Sequence, residues 1–328
     1  MKVKKLVTWG GITLGALGMG LAIKSLLPQR FLTDDWVERK PSQPLDTASF
    51  PEVEVSFLRC GSITIPEPIA VRGAFTLAPR VIAHSAVLIR HPKALFLYDT
   101  GLSSEIDTYL VDQSLFFRKT LGHFQLEQTL GSHLKERGIE RSDLDFVLLS
   151  HLHWDHVSGI PDIRGVPLRI NRVEYEAAKL GLLDAGNGLV QRLLGDNPIE
   201  FFDCAGLTYE RFRSSFDVFG DGSIILVPLP GHTAGNTGMF VNRSNGPRLF
   251  LLGDAAWVSQ NYLRPTTMHP FIWSRVTSDD AMARQTLIDL HYYALRHPEI
   301  PLIAMHDAEL QEKFMKSERL IQAVGRNT

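Results

Sequence analysis

Three histidines and one aspartate crowd the stretch "HLHWDH", which begins at His151 and follows the apolar run "LDFVLLS". Imidazole and carboxylate groups are poor core residues but good metal ligands, and imidazole binds zinc at about 2.0 to 2.1 Å. His151 and His153 lie two positions apart, so on an extended backbone both rings project to the same side and can share one ion. Asp155 and His156 follow a turn and are expected to face a neighbouring position. A carboxylate between two ions can bridge them, so the pattern indicates a two-metal site.

Three later segments also place a histidine or an aspartate at the end of an apolar run. They are "PGHTAGN" with His232, "LLGD" with Asp254 and "IPLIAMHD" with His306. A single histidine at a strand end is more simply a surface or capping residue, whereas this concentration favours a metal centre. The expected cofactor is a pair of divalent ions, with zinc preferred and iron, manganese or cobalt compatible with the same ligands. The predicted ligands are His151, His153, Asp155, His156, His232, Asp254 and His306.

The segments that carry these residues are predicted to be strands. "VEVSFLRC", "VIAHSAVLIR" and "ALFLYDTG" suggest a meander of short strands from Val53 onward. Residues 126–137 are predicted to be a helix, because leucines recur every four residues and Gly138 follows as a C-cap would. Sheet segments at both ends of the chain, with helices between them, predict an α/β fold of two β-layers flanked by helices.

The amino-terminal region has the pattern of a targeting or anchoring segment. Lys2, Lys4 and Lys5 precede 18 uncharged residues, from Leu6 to Ile23, which nearly suffice to span a bilayer core as a helix. Residues 1–27 are therefore predicted to be an uncleaved membrane anchor or a cleaved signal peptide. With the lysines on the cytoplasmic side of the membrane, the rest of the chain would face the periplasm or the exterior. It would be exported if the segment is cleaved.

Composition narrows the classes of partner. The chain has 34 basic and 36 acidic residues without a long run of like charge, so no nucleic-acid surface is expected and a small-molecule partner is favoured. Cys60 and Cys204 could form at most one disulfide. The proline-containing residues 28–52 are predicted to be a linker, and residues 53–328 the main domain.

The motif H-x-H-x-D-H, followed by "PGHTAGN", "LLGD" and "MHD", resembles the metallo-β-lactamase fold superfamily over roughly residues 53–310. The resemblance implies an αββα sandwich, in which two mixed sheets are flanked by helices and the metals lie at one sheet edge. It assigns His151, His153 and His232 to the first metal. It assigns Asp155, His156 and His306 to the second metal, with Asp254 bridging the two ions.

The aspartate of "YDTG", Asp99, matches a family aspartate near the metals. The resemblance implies that it orients a ligand, and a role in the turn before Gly101 is compatible with that. Asp254 at the bridging position resembles the glyoxalase II-like, nuclease-like and lactonase-like branches more than the zinc β-lactamases. "MHDAELQEK" resembles the end of the N-acyl homoserine lactonases. Those lactonases have a tyrosine three residues after the bridging aspartate, where this chain has Trp257, whose indole can donate a hydrogen bond but cannot do acid-base work.

The function implied is a lactonase-like hydrolase, in which a metal-bridging hydroxide attacks an ester or lactone carbonyl. Asp155 and Asp254 are the catalytic candidates, and Asp155 is expected to take the proton of the nucleophile. The alternatives within the fold are an organophosphate or aryl-ester hydrolase and a glyoxalase II-like thioesterase. A non-hydrolytic alternative is a metal-binding or iron redox protein.

Two aromatic stretches flank the predicted site, and their side chains could either line a substrate pocket or bury themselves. They contain Phe116, Phe117, Phe271 and Trp273. The histidines in turns or helical stretches are predicted to be solvated, and the sequence does not decide the positions of His84 and His269. The histidines predicted to be solvated are His91, His123, His133, His291 and His297.

Overall fold

The computed structural model of the chain describes residues 27–29, 31, 47–179 and 186–325. Nearly all of the predicted anchor or signal segment, and most of the predicted linker, lie outside these residues. Within the described part of the chain, no helix is long and apolar enough to cross a membrane. Cys60 and Cys204 are both free thiols.

Strands occur in both the first and the last parts of the described chain. Their bounds are β1 (Glu54–Pro66), β2 (Pro79–His91), β3 (Ala94–Thr100), β4 (Gln125–Leu126), β5 (Phe146–Leu148), β6 (Leu168–Asn171), β7 (Ile199–Phe202), β8 (Phe216–Asp217), β9 (Ile224–Pro228), β10 (Thr237–Val241), β11 (Leu249–Leu251) and β12 (Leu302–Ile303). They form a seven-stranded sheet in the order β4-β1-β2-β3-β5-β6-β7 and a five-stranded sheet in the order β12-β11-β10-β9-β8.

Both sheets are mixed. In the larger sheet β1, β2 and β3 are antiparallel, whereas β3, β5, β6 and β7 run parallel. In the smaller sheet β8 to β11 are antiparallel and β12 lies parallel to β11. The α/β prediction with two mixed sheets is confirmed.

The helices lie mainly between strands of the larger sheet and in the last third of the chain. Their bounds are α1 (Glu67–Ala70), α2 (Ile106–Leu110), α3 (Leu115–Lys119), α4 (Leu130–Glu136), α5 (Trp154–Val157), α6 (Arg172–Lys179), α7 (Leu189–Leu194), α8 (Ser259–Leu263), α9 (Pro270–Val276), α10 (Asp280–Arg296) and α11 (Ala308–Gly325).

Side-chain alternation along the strands builds the layers. On β9, Ile224 and Leu226 belong to the core between the two sheets, whereas Ile225 and Val227 pack in the core under α10. Leu97 on β3 belongs to a third core, which is shared with α4 and α7. Because successive strand residues point to opposite faces, strands that are apolar on both faces require helices on the outside. The cores therefore stack as helix, sheet, sheet and helix.

The helix predicted for residues 126–137 begins later than expected. Gln125 and Leu126 form the short strand β4, which pairs with β1. The helix begins at Leu130, because the Thr129 hydroxyl accepts a hydrogen bond from Ser132 N at its start. It ends as predicted, with Gly138 in the left-handed conformation at φ 64°.

Candidate metal centre

The predicted ligands lie where strands of the two sheets end. The "HLHWDH" stretch follows β5, and His232 lies in the turn between β9 and β10. Asp254 and His306 are each the third residue beyond the paired ends of β11 and β12, where Leu251 opposes Ile303. Because β11 and β12 are parallel, their carboxyl ends deliver these two side chains to the same edge. All seven predicted ligands are brought together there.

His151, His153 and His232 form one compact set, the first triad. The His151 Nε2 and His153 Nδ1 atoms are 3.1 Å apart, and His153 Nδ1 and His232 Nε2 are 2.8 Å apart. Ligand nitrogens on a tetrahedral zinc ion are roughly 3.3 Å apart. Burial lowers the pKa of all three imidazoles, that of His153 to about 4. Neutral imidazole is the form that binds a metal.

Asp155, His156, Asp254 and His306 form the second group. His306 Nε2 lies 3.0 Å from Asp254 Oδ2 and 3.4 Å from Asp155 Oδ2. His156 Nε2 lies 3.3 Å from Asp254 Oδ1. These nitrogen and oxygen atoms converge on one small volume beside the first triad.

Asp254 is the residue common to both sets. Its Oδ2 atom lies 3.5 Å from His232 Nε2 and 3.9 Å from His151 Nε2, while its Oδ1 atom faces His156. The side chain is 3% exposed. One carboxylate therefore reaches both sets, as a bridging ligand must.

The electrostatics of the second group differ from those of the first triad. Burial alone would lower the pKa of His156, but the carboxylates of Asp254, Asp99 and Asp155 hold it well above its usual value. Burial would likewise raise the pKa of Asp254, but His306 and His156 hold it well below its usual value. The second group is thus a buried set of opposite charges.

The donor set fits two divalent ions. The His156 Nε2 and Asp254 Oδ1 atoms are buried and have no hydrogen-bond partner among the described residues, although they are 3.3 Å apart. Buried polar atoms are almost always hydrogen-bonded in folded proteins, so atoms that converge without bonding one another point at a shared third partner. Three groups of side chains here could hold an ion. The residues are compatible with zinc and also with the other metals considered above.

Asp99 lies behind the ligands, as predicted. Its Oδ2 atom accepts hydrogen bonds from His156 Nδ1 and from the Ser150 hydroxyl, both at 2.8 Å. The Ser150 hydroxyl is also 2.9 Å from His151 Nδ1. Asp99 therefore orients one ligand of the second group directly and one of the first triad through Ser150. It does so with a left-handed backbone, φ 56°, at the turn before Gly101.

Glu174 on α6 is a positioning residue that the sequence interpretation missed. Its carboxylate is fully buried and accepts hydrogen bonds from Leu152 N and Gly235 N, both at 2.8 Å. These two amides belong to the loops that carry His153 and His232, so one side chain ties both loops of the first triad together. A sequence signal existed, because Glu174 shares a helical face with Ala177, which is also buried.

Asn236 makes a second such link, and it was also missed. Its Oδ1 atom accepts from Asp254 N at 3.1 Å, and its Nδ2 atom donates to Leu229 O at 3.0 Å. The turn that carries His232 is thereby fixed to the loop that carries Asp254. The asparagine is visible in "PGHTAGN", but its partners lie on other strands.

A cavity of about 340 Å³ opens onto the metal centre. Isoleucines make up one part of its wall, and aromatic side chains another. Phe117 and Phe271 line the cavity, whereas Trp273 is buried and donates to Asp280. Trp257 also lines it, with an indole N–H that has no partner in the described part of the chain. The isoleucines are Ile63, Ile65, Ile69 and Ile82.

The prediction that the other histidines are solvated is wrong for two of them. His91 and His133 are buried, and each has a ring nitrogen bonded to a protein oxygen, Ser223 Oγ and Arg59 O respectively. Their hydrogen-bond partners lie 132 residues from His91 and 74 residues from His133 in the sequence, so no local pattern indicates that these side chains are buried. His123 is exposed, as predicted, at the cavity mouth.

Comparison with known proteins gives a family match. The model of the Metallo-beta-lactamase superfamily matches residues 79–286, which is more than half of the chain.

Among curated relatives, N-acyl homoserine lactonase AttM of Rhizobium radiobacter is 26% identical over 195 residues, covering 58% of this chain and 68% of the relative. A protein of Mycobacterium tuberculosis described as a probable metallo-hydrolase is 26% identical over 288 residues, covering 81% of this chain and 84% of the relative.

Solved structures agree in fold. An N-acyl homoserine lactone hydrolase with the product N-hexanoyl-L-homoserine at its catalytic metal center superposes with a TM-score of 0.62, at 18% identity, over 81% of this chain and 96% of that chain. The dizinc quorum-quenching lactonase AidC gives a TM-score of 0.54 at 17% identity, over 78% of this chain and 88% of that chain. At these identities the likeness concerns the fold.

Proposed function

The chain belongs to the metallo-beta-lactamase superfamily and is a metal-dependent hydrolase, and we propose that it opens a lactone or ester that carries an apolar acyl group. The single observation that carries the proposal is the apolar cavity of about 340 Å³ that ends at Asp155, Asp254 and the surrounding histidines. Ligand pockets of this kind are mostly apolar, with a few convergent polar groups at one end.

Two ions held by the first triad and the second group would supply an activated water and a Lewis acid for the carbonyl oxygen. The chain's own residues do the remaining work. Asp254 holds the two sets at a fixed separation, and Asp99 and Glu174 fix the directions of the ligands. We propose that Asp155 receives the proton of the attacking water, and the exposure of its side chain, 12% against 3% for Asp254, supports this role.

The cavity wall would bind the acyl group. The four isoleucines and Phe117 offer no hydrogen bonds, so an alkyl or aryl group gains free energy by leaving water there. Trp257 would orient the substrate by donating its indole N–H to a substrate oxygen. It has no group for proton transfer, so the leaving alkoxide must obtain its proton from Asp155 or from water.

The test is a comparison of kcat/KM on four substrates with the metal-loaded full chain. They are an acyl-homoserine lactone, an aryl ester, an organophosphate and a thioester. We expect the lactone or the aryl ester to be preferred. We also expect each added methylene of the acyl chain to raise kcat/KM by up to roughly fourfold until the cavity is filled. A preference for the organophosphate or the thioester would identify the chain as an organophosphate hydrolase or a thioesterase instead. No hydrolysis of any of the four substrates would contradict the proposal.

We also propose that residues 1–27 place the main domain outside the cytoplasmic membrane, as an anchor or a cleaved signal. The proposal rests on Lys2, Lys4 and Lys5 and on the uncharged stretch after them. Cell fractionation and mass determination of the mature chain test it. Recovery of the intact chain in the cytoplasmic soluble fraction would contradict it.

A further inference from the structure

His84 is a buried histidine at the metal centre that belongs to none of the segments predicted above to supply metal ligands. It sits in the interior of β2 and is 5% exposed. Its ring lines the cavity and packs against the ring of His306 with 5.6 Å between centroids. The register of β1 against β2 shifts between Arg59 and Gly61, and Gly61 is the residue opposite His84.

Backbone contacts fix His84 beside His306. Ala83 N donates to His306 O at 3.0 Å, and His306 Nδ1 donates to Ala83 O at 2.6 Å. The second bond directs His306 Nε2 toward the metal centre. Since Ala83 immediately precedes His84, the same contacts hold the His84 ring next to the second group.

The His84 ring lies close to a predicted ligand without bonding it. Its Nδ1 atom is 3.3 Å from Asp155 Oδ2, yet neither ring nitrogen has a hydrogen-bond partner among the described residues. A charge-assisted N–H···O bond would be about 2.7 to 2.9 Å long and nearly linear. His156 Nε2 and Asp254 Oδ1 show the same separation without a bond. In both pairs the two atoms are placed as neighbouring ligands of one ion are.

The two buried histidines of the described chain that lie away from the metal centre behave differently. His91 Nε2 is 3.0 Å from Ser223 Oγ, and His133 Nε2 is 2.9 Å from Arg59 O. A buried imidazole that serves only the core is therefore hydrogen-bonded in this protein. Leaving both nitrogens of His84 without partners would cost free energy, so a further partner is expected at the metal centre.

We propose that His84 is a protein ligand of the second ion, bound through Nδ1 together with Asp155 and His306. The proposal rests on the two-metal centre of the proposed function. The ligand atoms of these three residues lie within 4.8 Å of one another. With His156 and Asp254 the second ion would then have five protein ligands, whereas the first triad supplies three nitrogens and shares Asp254.

The difference in ligand number predicts a difference in metal preference. A protein site of five ligands does not suit the four-coordinate geometry that is usual for zinc. It suits ions that take five or six ligands, such as iron, manganese or cobalt. The first triad retains the open arrangement that is typical of catalytic zinc. We therefore expect the two ions to bind with different selectivity.

The test uses cobalt(II) as the probe, titrated into metal-free full-length protein against a competing chelator. His84→Ala should bind the first ion as the wild type does and the second ion at least about tenfold more weakly. The visible absorption of the second cobalt should also intensify, because its coordination number falls. The matched control is His91→Asn, a buried histidine of the same strand, which should bind both ions with wild-type affinity. Unchanged affinity for the second ion and an unchanged spectrum in His84→Ala would overturn the proposal. An equal loss of affinity for both ions would also overturn it.

A second measurement covers the case in which the variant does not fold, which circular dichroism of the metal-free forms would reveal. In crystals of the metal-loaded wild type, anomalous scattering should place the second ion about 2.0 to 2.3 Å from His84 Nδ1. A separation above about 3 Å would overturn the proposal. The hydrolysis comparison reports separately on the proposed function: hydrolysis with an ion remote from His84 would refute this inference alone. A second ion bound by His84 without any hydrolysis would refute the proposed function alone.

Discussion

The two halves of the metal centre are held by different means. The first triad consists of three imidazoles with lowered pKa values, carried by two loops that Glu174 ties together. The second group mixes imidazoles and carboxylates from three segments, and its charges stabilise one another. The first half is thus fixed mainly by hydrogen bonds from backbone amides to the Glu174 carboxylate, and the metal-free second half mainly by attraction between opposite charges. The difference teaches that the binding of each ion can be weakened separately, except at Asp254 and Asp99, whose contacts reach both halves.

Asp254→Ala should have the largest effect, because this carboxylate contacts both halves. We expect both ions to bind more weakly and kcat/KM to fall at least about 10³-fold, which corresponds to roughly 4 kcal/mol. Metal content per chain and initial rates measure it. Asp203→Ala removes an exposed carboxylate that pairs with Arg172 and should change neither quantity. Wild-type metal content and rate in Asp254→Ala would show that the halves are not joined there.

Glu174→Gln should separate the two halves most clearly. The new amide group would face Leu152 N or Gly235 N, so a donor would meet a donor and one loop would be released. We expect the affinity for the first ion to fall by about ten- to a hundredfold, with little change at the second. Chelator titration measures both affinities. Glu176→Gln, an exposed position on the same helix, is the control, and preferential loss of the second ion would contradict the assignment.

Asp99→Asn should lower the affinity for both ions, by a smaller amount than Asp254→Ala does. The side chain keeps its size and one acceptor oxygen but loses the charge that faces His156. We expect the affinity for each ion to fall about tenfold. Asp145→Asn is the control, because Asp145 accepts a hydrogen bond from Leu95 N instead of from a ligand. A change confined to the second ion would show that Ser150 does not transmit the effect to His151.

Trp257→Phe should have the smallest effect and should leave both ions bound. It removes an indole N–H that has no partner among the described residues, so the interaction expected to be lost is the one with substrate. One hydrogen bond contributes about 0.5 to 1.5 kcal/mol, so kcat/KM should fall by no more than about tenfold. Separate determination of kcat and KM shows whether the loss is in binding or in turnover. Loss of metal in this variant would mean that Trp257 supports His306 and does not orient substrate.

The sequence predicted that seven side chains would come together, because they follow the ends of four apolar runs and the carboxyl ends of neighbouring strands meet at one edge. Their role as metal ligands stays a prediction. The sandwich of two sheets followed from the same runs, supported by the family resemblance. The beginning of α4 was misplaced, because leucines at helical spacing also suit the short strand β4.

The residues that sequence reasoning did not assign act across long separations. His84 lies inside a strand, where its neighbours indicate an ordinary buried position, and the contact of Ala83 with His306 brings its ring beside the second group. Glu174 and Asn236 bind backbone amides of other loops. No local pattern reveals such partners, since they depend on which strands become neighbours in the folded sheets.

The most direct test of the central claim is the number of metal ions that the full-length chain binds after equilibrium dialysis against a chelator-buffered metal solution. We expect two ions per wild-type chain, and fewer in Asp254→Ala under the same conditions. One ion or none in the wild type would contradict a two-metal centre built from these strand ends.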